Sequence, residues 1–547
     1  MKPVRGRRPE PQPVVPLLIA GAWALLLLVA PAAHNAFWAV NGLRSVPLPV
    51  ALALLVAAAL AAIAAARPPR AAWTAALAAL ALALLLGFPL RERLHLLGDT
   101  AGRRGSVAVF ANREAQHSLG EWSRALHAQP LDLLTGLLAP GWITRATGHL
   151  NLGVSGVLAV LALVFFAGAW RLARRLSPAG ESAWPLWIAL FAWGGLEAYA
   201  GYTESAGVLL AAGVWWWCAM LEPVARRRDA FVLALAWLGV WLSHRIAFAL
   251  LVPQLVRLLA RPHAGDATAA RREAVIWTLV VAAMALAAQW AGGGQLGRDV
   301  ADVLQPPAAD ALASVPTDLL NLALFSAPLA LLALLLDGID GWRKLAASEA
   351  APALLAGTLV LLPTAFPLPV SGNGLGVQRD WDLSILLGLT LTLAGAIAIA
   401  KLPAARRRTA LLLAAPLLVL QTGAFVAVNA DLPAASDRAR ALVQRPPTLG
   451  RQQASGVLMV LGDRALGQGH AVEAAQMLIA SWQMVPSPAR GLHAVRACYL
   501  AGDLTSARKL LADVRGRAAL PPSEAADARS LEQLIEAGAR DSAAAGR

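Results

Sequence analysis

Residues 230–260, AFVLALAWLGVWLSHRIAFALLVPQLVRLLA, form either one long apolar helix or two short ones separated at Ser243-His244-Arg245. A span across ~30 Å of hydrocarbon needs about 20 apolar residues, so length alone leaves both readings open. Charge decides between them. With the basic N-terminus (Lys2, Arg5, Arg7, Arg8) on the inner side, an unbroken helix would place Arg343-Lys344 and Arg406-Arg407-Arg408 outside. That opposes the positive-inside rule. A break at the polar triplet returns both clusters to the inner side and gives thirteen spans.

The other spans read from the sequence are 13–32, 46–66, 72–90, 150–170, 184–200, 205–221, 275–291, 318–336, 351–369, 383–400 and 410–428. The composition agrees: 58% of the 547 residues are hydrophobic, only 15% are charged, and the mean hydropathy is +0.58. This excludes a soluble globular protein and predicts an all-α polytopic membrane protein. The net charge of +14 gathers on the inner segments, as a topogenic signal and not a nucleic-acid patch. The first span is long and lacks a small-residue cleavage site, so it reads as a retained helix. Cys218 and Cys498 are far apart and imply no disulfide framework.

Three regions follow. Residues 1–70 form a two-span extension. Residues 71–428 form the main transmembrane module, with a long outer loop at 91–149 whose Leu119, Trp122, Leu126, Leu131, Leu134 and Leu138 recur at the spacing of helices lying on the membrane. Residues 429–547 form a helical tail on the outer side. There, Gly469-His470-Ala471-Val472-Glu473-Ala474 and Gly502-Asp503-Leu504-Thr505-Ser506-Ala507 are offset by one period of a tetratricopeptide-type hairpin.

Unusual polar residues gather on the outer side. Asp99 follows the third span. Glu197, Tyr202 and Glu204 lie around the next outer turn, His244 and Arg245 sit at the break, and Asp318 and Asn321 open a later span. Gln378-Arg379-Asp380-Trp381-Asp382 lies between two apolar runs. Ionisable groups at a membrane edge mark functional sites. Each residue also has an ordinary reading: Asp99 as a turn residue, Glu204 and Asp318 as helix starts, His244 as an interfacial histidine. Together they suit one chemistry. A carboxylate can serve as general base toward a hydroxyl or hold a divalent cation, Mg2+ or Mn2+. Arg245, Arg379 and His244 can bind phosphate. The run Trp215-Trp216-Trp217 reads as an interfacial aromatic belt, and Gly372-Asn373-Gly374-Leu375-Gly376 as a flexible loop.

This layout resembles the GT-C class of integral-membrane glycosyltransferases, and most closely bacterial members carrying a tetratricopeptide tail. The matching pieces are Leu97-Gly98-Asp99, Gln129-Pro130-Leu131-Asp132-Leu133-Leu134, Gly201-Tyr202-Thr203-Glu204, Ser243-His244, Asp318-Leu319-Leu320-Asn321 and Arg379-Asp380-Trp381-Asp382. The resemblance implies transfer of a sugar from a polyprenyl-phosphate donor to a glycan, lipid or protein acceptor at the outer face of a bacterial inner membrane. Asp99, Glu204 and Asp380 would be catalytic. Tyr202, His244, Arg245, Asn321, Arg379 and Asp382 would bind substrate. Asp99 lacks the second acidic residue found after it in several branches of the class, and two spans precede the module.

Three other readings stand beside it. A lipid-linked glycan polymerase or ligase would place its arginines in a large late outer loop, whereas the largest outer loop here comes early. A membrane scaffold would use the tail to recruit partners, and its polar residues would not converge. A transporter would show matched broken helices near the midplane.

Overall fold

The computed structural model describes residues 14–29, 39–69, 73–96, 100–112, 118–126, 128–259, 266–291, 315–337, 339–365, 384–444, 451–517 and 520–545. Every regular element among them is helical. Among the described residues, four helices are long and apolar enough to cross a membrane, and two sharply bent pairs bring the number to six if each is one span. The expectation of thirteen spans is finer than this measure.

The chain opens with α1 (Val14–Val29), α2 (Leu48–Ala66) and α3 (Trp73–Gly87). Residues 91–149 carry α4 (Thr100–Asn112), α5 (Leu119–Ala125), α6 (Pro130–Leu133) and, after a π-turn at Leu134–Leu138, α7 (Ala139–Thr147). Then come α8 (Leu150–Leu176), α9 (Trp184–Phe191), α10 (Ala206–Leu221), α11 (Arg227–Ser243), α12 (Leu251–Leu259) and α13 (Asp266–Ala291). The rest of the bundle is α14 (Val315–Ser326), α15 (Pro328–Asp337), α16 (Asp340–Ala346), α17 (Ala351–Ala365), α18 (Ile385–Ala400) and α19 (Ala404–Ala430).

Burial sorts these helices. The apolar windows of α8 and α19 are 61% buried, against 17% for α2 and α13. A helix that is apolar all round needs either a protein core or lipid around it. The first pair therefore forms the centre, with α9, α10 and α18 packed against them, and the second pair turns most of its surface to lipid.

The break in residues 230–260 is real. α11 ends at Ser243, His244 is extended (φ −160°, ψ 144°), and its Nδ1 accepts the Ile246 amide at 3.1 Å. A 3₁₀ turn over Arg245–Phe248 folds back so that Trp237 Nε1 donates to the Ala247 carbonyl at 2.8 Å. Beyond it, Trp216 Nε1 donates to Gln254 Oε1 at 2.7 Å and Arg257 Nε to the Met220 carbonyl at 3.3 Å. The numbers rise together on both helices, so α12 runs in the direction of α10, and opposite to α11 across the short α10–α11 connection. The chain reverses at the polar triplet.

Two other expected spans are interrupted. Residues 184–200 divide into α9 and a 3₁₀ turn at Gly194–Tyr199. Residues 318–336 bend by 90° between Ser326 and Pro328, where proline has no amide for an upstream carbonyl. Two of the three tryptophans in the run are core residues: Trp216 and Trp217 are buried to 0% and 1% exposure, and Gln254 inside the bundle satisfies the Trp216 N–H. Trp215 is half-buried beneath the exposed Arg171 guanidinium. Where α7 crosses α8, a Cβ on Gly153 would run into the Pro140 carbonyl oxygen and Thr144 Oγ1. Gly153→Ala is expected to destabilise the protein by about 1–3 kcal/mol, read as a lowered unfolding midpoint in detergent. An unchanged midpoint would show that the crossing relaxes freely.

The tail contains α20 (Leu432–Gln444), α21 (Arg451–Gly467), α22 (Ala471–Met484), α23 (Pro488–Leu500), α24 (Leu504–Arg517) and α25 (Pro522–Ala545). Successive helices from α21 to α25 pack on one another around Leu478, Trp482, Val495, Leu511 and Ile535. Gly469 and Gly502 occupy matching turns with φ of 83° and 79°, a left-handed geometry that glycine adopts without strain. Ala474 and Ala507, on the helices that follow, are both fully buried. The sequence repeat is thus also a repeat of backbone and packing.

Candidate functional site

The site forms where the turn between α9 and α10 meets residues 91–149. Gly201 (φ 92°) closes that turn, and a Cβ there would press on the Glu92 amide at 3.1 Å. The Glu92 amide itself donates to the Ala200 carbonyl at 2.5 Å. Next along the chain, Tyr202 is fully buried and Thr203 Oγ1 donates to the Thr100 carbonyl at 3.3 Å in the first turn of α4. These contacts fix Glu204 against the helices of residues 91–149.

One turn along α4, Arg103 makes a two-pronged ion pair with Asp132 of α6. Its Nη1 lies 3.2 Å from Oδ1 and 3.0 Å from Oδ2, and its Nη2 donates to the Leu126 carbonyl at 3.1 Å. The side chains are 11% and 3% exposed. Burial lifts the Asp132 carboxyl above the usual carboxylate range, against the opposing pull of Arg103. The same burial works against the charge on Arg103, but Asp132, with Glu204 beside it, outweighs burial and holds the guanidinium above its ordinary value. Arg103 is therefore a fixed cation at neutral pH.

Glu204 faces a narrow cavity of about 10 Å³, lined also by Thr135, Gly136, Pro140, Val154 and Thr203. That is roughly room for one water molecule. A Cβ on Gly136 would stand 3.3 Å from both Asp132 Oδ1 and the Thr203 carbonyl. The glycine lets α6 and its π-turn approach the Glu204 turn closely. The charge of Arg103 also reaches Tyr202 and His244.

Of the residues expected from the sequence, Tyr202, Glu204 and His244 thus lie within electrostatic reach of one cation. Arg245 begins the 3₁₀ turn after His244, and its charge acts on that ring. Asn321 is fully buried in α14, where its Oδ1 accepts the Ala39 amide at 3.1 Å. Asp99, Arg379, Asp380, Asp382 and the 372–376 glycine loop lie outside the described residues, as does the Asp318 side chain. Among the described residues, no three His, Cys, Asp or Glu side chains come together as a metal site would require.

Sequence reasoning did not single out Arg103 or Asp132 as site residues. Asp132, two residues after Pro130, reads as a carboxylate favoured in any first helical turn, and nothing in the sequence pairs positions on separate helices. Glu197 is drawn elsewhere. It is buried, accepts from Asn429 Nδ2 at 3.1 Å, and so joins the bundle to the tail.

No family model matches the chain, and no curated protein matches it. Among solved structures, the crystal structure of ArnT from Cupriavidus metallidurans bound to undecaprenyl phosphate is similar at 15% sequence identity, covering 82% of each chain with a TM-score of 0.40.

Proposed function

We propose that this protein is a membrane glycosyltransferase that moves a sugar from a polyprenyl-phosphate donor to an acceptor on the outer face of the bacterial inner membrane. What supports the reading is the meeting of a carboxylate, Glu204, with a permanently charged arginine and a buried tyrosine beside a narrow cavity. In such a transfer a carboxylate takes the proton of the acceptor hydroxyl as the sugar–oxygen bond forms, and the departing lipid phosphate gains negative charge. Asp99, which immediately precedes α4 in the sequence, is the proposed base. Glu204 orients the acceptor, Asp380 and Asp382 complete the acidic set, and Arg245 and Arg379 receive the phosphate with His244. Tyr202 and Asn321 line the substrate path, and the tail is a tetratricopeptide-like domain.

The test is turnover of a polyprenyl-phosphate hexose in proteoliposomes, followed as release of polyprenyl phosphate. Asp99→Asn and Glu204→Gln are expected to slow release by about 10²–10⁴-fold with folding retained. A wild-type protein that neither binds nor consumes any such donor would overturn the reading in favour of a scaffold.

A further inference from the structure

A second charged cluster lies at the seam between the start of the outer loop and the tail. Leu94 and Leu96 pack against Ala435, Ala439, Val457 and Leu461, and the Arg93 amide donates to the Asn429 carbonyl at 2.9 Å. His95, between those leucines, has a left-handed backbone (φ 57°), which a non-glycine residue adopts only at a cost. Arg464 follows Leu461 by one turn of α21, an exposed side chain on the face of the tail that meets this segment.

The charges of Arg104, Arg464, Arg91 and Arg93 all act on His95, and only Glu92 among the neighbours acting on Arg104 is acidic. Glu92 is itself engaged, its Oε1 accepting the Leu96 amide at 2.6 Å. Arg104 is 8% exposed. Its Nη2 donates to Asn151 Oδ1 at 2.5 Å, but its Nη1 is buried without a hydrogen-bond partner, as is His95 Nδ1. A buried guanidinium N–H without a partner has given up its water and gained nothing in return. Burial first, and then the neighbouring arginines, push His95 down to about 3 and Arg104 down to about 10. The single Glu92 carboxylate offsets only part of the charge of the four arginines that act on His95.

We infer that Arg91, Arg93, His95, Arg104 and Arg464 form a binding site for a phosphate monoester, closed on one side by the tail. A phosphate offers three acceptor oxygens and a charge near −2. It would fill the donor capacity of Arg104 Nη1 and, in the neutral tautomer that carries its proton there, of His95 Nδ1. The ligand chemistry is shared by a lipid headgroup and by free phosphate. The inference does not depend on turnover, so it stands or falls apart from the transferase reading.

The experiment uses the full chain in phosphatidylcholine nanodiscs and compares unfolding midpoints in inorganic phosphate and in chloride at equal ionic strength. A parallel sample carries phosphatidic acid in the disc. A ligand that binds only the folded state raises the midpoint. Stabilisation by soluble phosphate alone assigns a free anion, and stabilisation by phosphatidic acid assigns a headgroup. In either case Arg104→Gln and Arg464→Gln should each weaken binding about tenfold or more. Without ligand, Arg464→Gln should melt no lower than the parent, because it removes a like charge. The site is disproved if neither probe stabilises the protein, if the effect survives both substitutions, or if ligand-free Arg464→Gln is itself destabilised.

Discussion

Arg103→Met is expected to destabilise the protein by about 3–5 kcal/mol, because it strands a buried carboxylate. Asp132 is 3% exposed, and both of its oxygens face the Arg103 guanidinium. Removing the cation leaves that carboxyl to be protonated or to draw water into a packed junction. Asp132→Leu alone should be as damaging, since it orphans the guanidinium. The double variant Arg103→Met/Asp132→Leu should recover much of the loss, as buried pairs replaced together by apolar groups often do. Equilibrium unfolding in mild detergent provides the comparison. Single-variant losses below about 1 kcal/mol would mean that water reaches the pair and that it acts as a surface bridge.

Arg438→Leu should loosen the tail from the bundle. The Arg438 guanidinium lies over the Phe425 ring at 4.5 Å, and its Nη1 donates to Asn429 Oδ1 at 3.4 Å. Burial brings it down to about 10 although Glu197 pulls the other way. Asn429 also donates to Glu197, so one polar chain runs from the α9–α10 connection through the end of α19 into α20. Without the cation, Asn429 Oδ1 loses its donor and Glu197 its positive neighbour, a loss of about 1–3 kcal/mol concentrated at the seam. Hydrogen exchange should accelerate in α20 and α21 while α8 and α10 stay protected. Adding Glu197→Gln should restore protection. Unchanged exchange in α20 would show that the apolar contacts of Leu94 and Leu96 hold the tail unaided.

The reversal at residues 243–245 was legible because a polar triplet inside an apolar run is costly unless the chain turns there, and the charge on later loops required the turn. The tail was legible through its glycines, whose left-handed turns sequence spacing announces. The interruption of 184–200 was signalled only by Gly194-Gly195, and that of 318–336 only by Pro328, both masked by the apolar residues around them. In the candidate site, Tyr202 and Glu204 stood out because polar residues are rare at a span end. Arg103 and Asp132 did not, because their meaning arises from the approach of α4 and α6 that Gly136 permits, and no local pattern encodes a contact between two separate helices. Trp216 and Trp217 misled because aromatic residues near a span end suit either the interface or the core, and the partner that decides for Trp216, Gln254, lies on another helix.

Trp170, Trp184 and Trp187 pack edge to face with centroids 5.1–5.9 Å apart, and of the 19 tryptophans only Trp482 lies beyond residue 429. The protein is therefore optically lopsided. Intrinsic fluorescence and the aromatic circular dichroism report almost wholly on the bundle, so the tail could melt with little trace in either signal. Trp482, stacked 4.6 Å beneath the Arg517 guanidinium, is the tail's single lamp. Subtracting the spectrum of a Trp482→Phe variant would isolate its light, and with it the moment at which the tail comes apart.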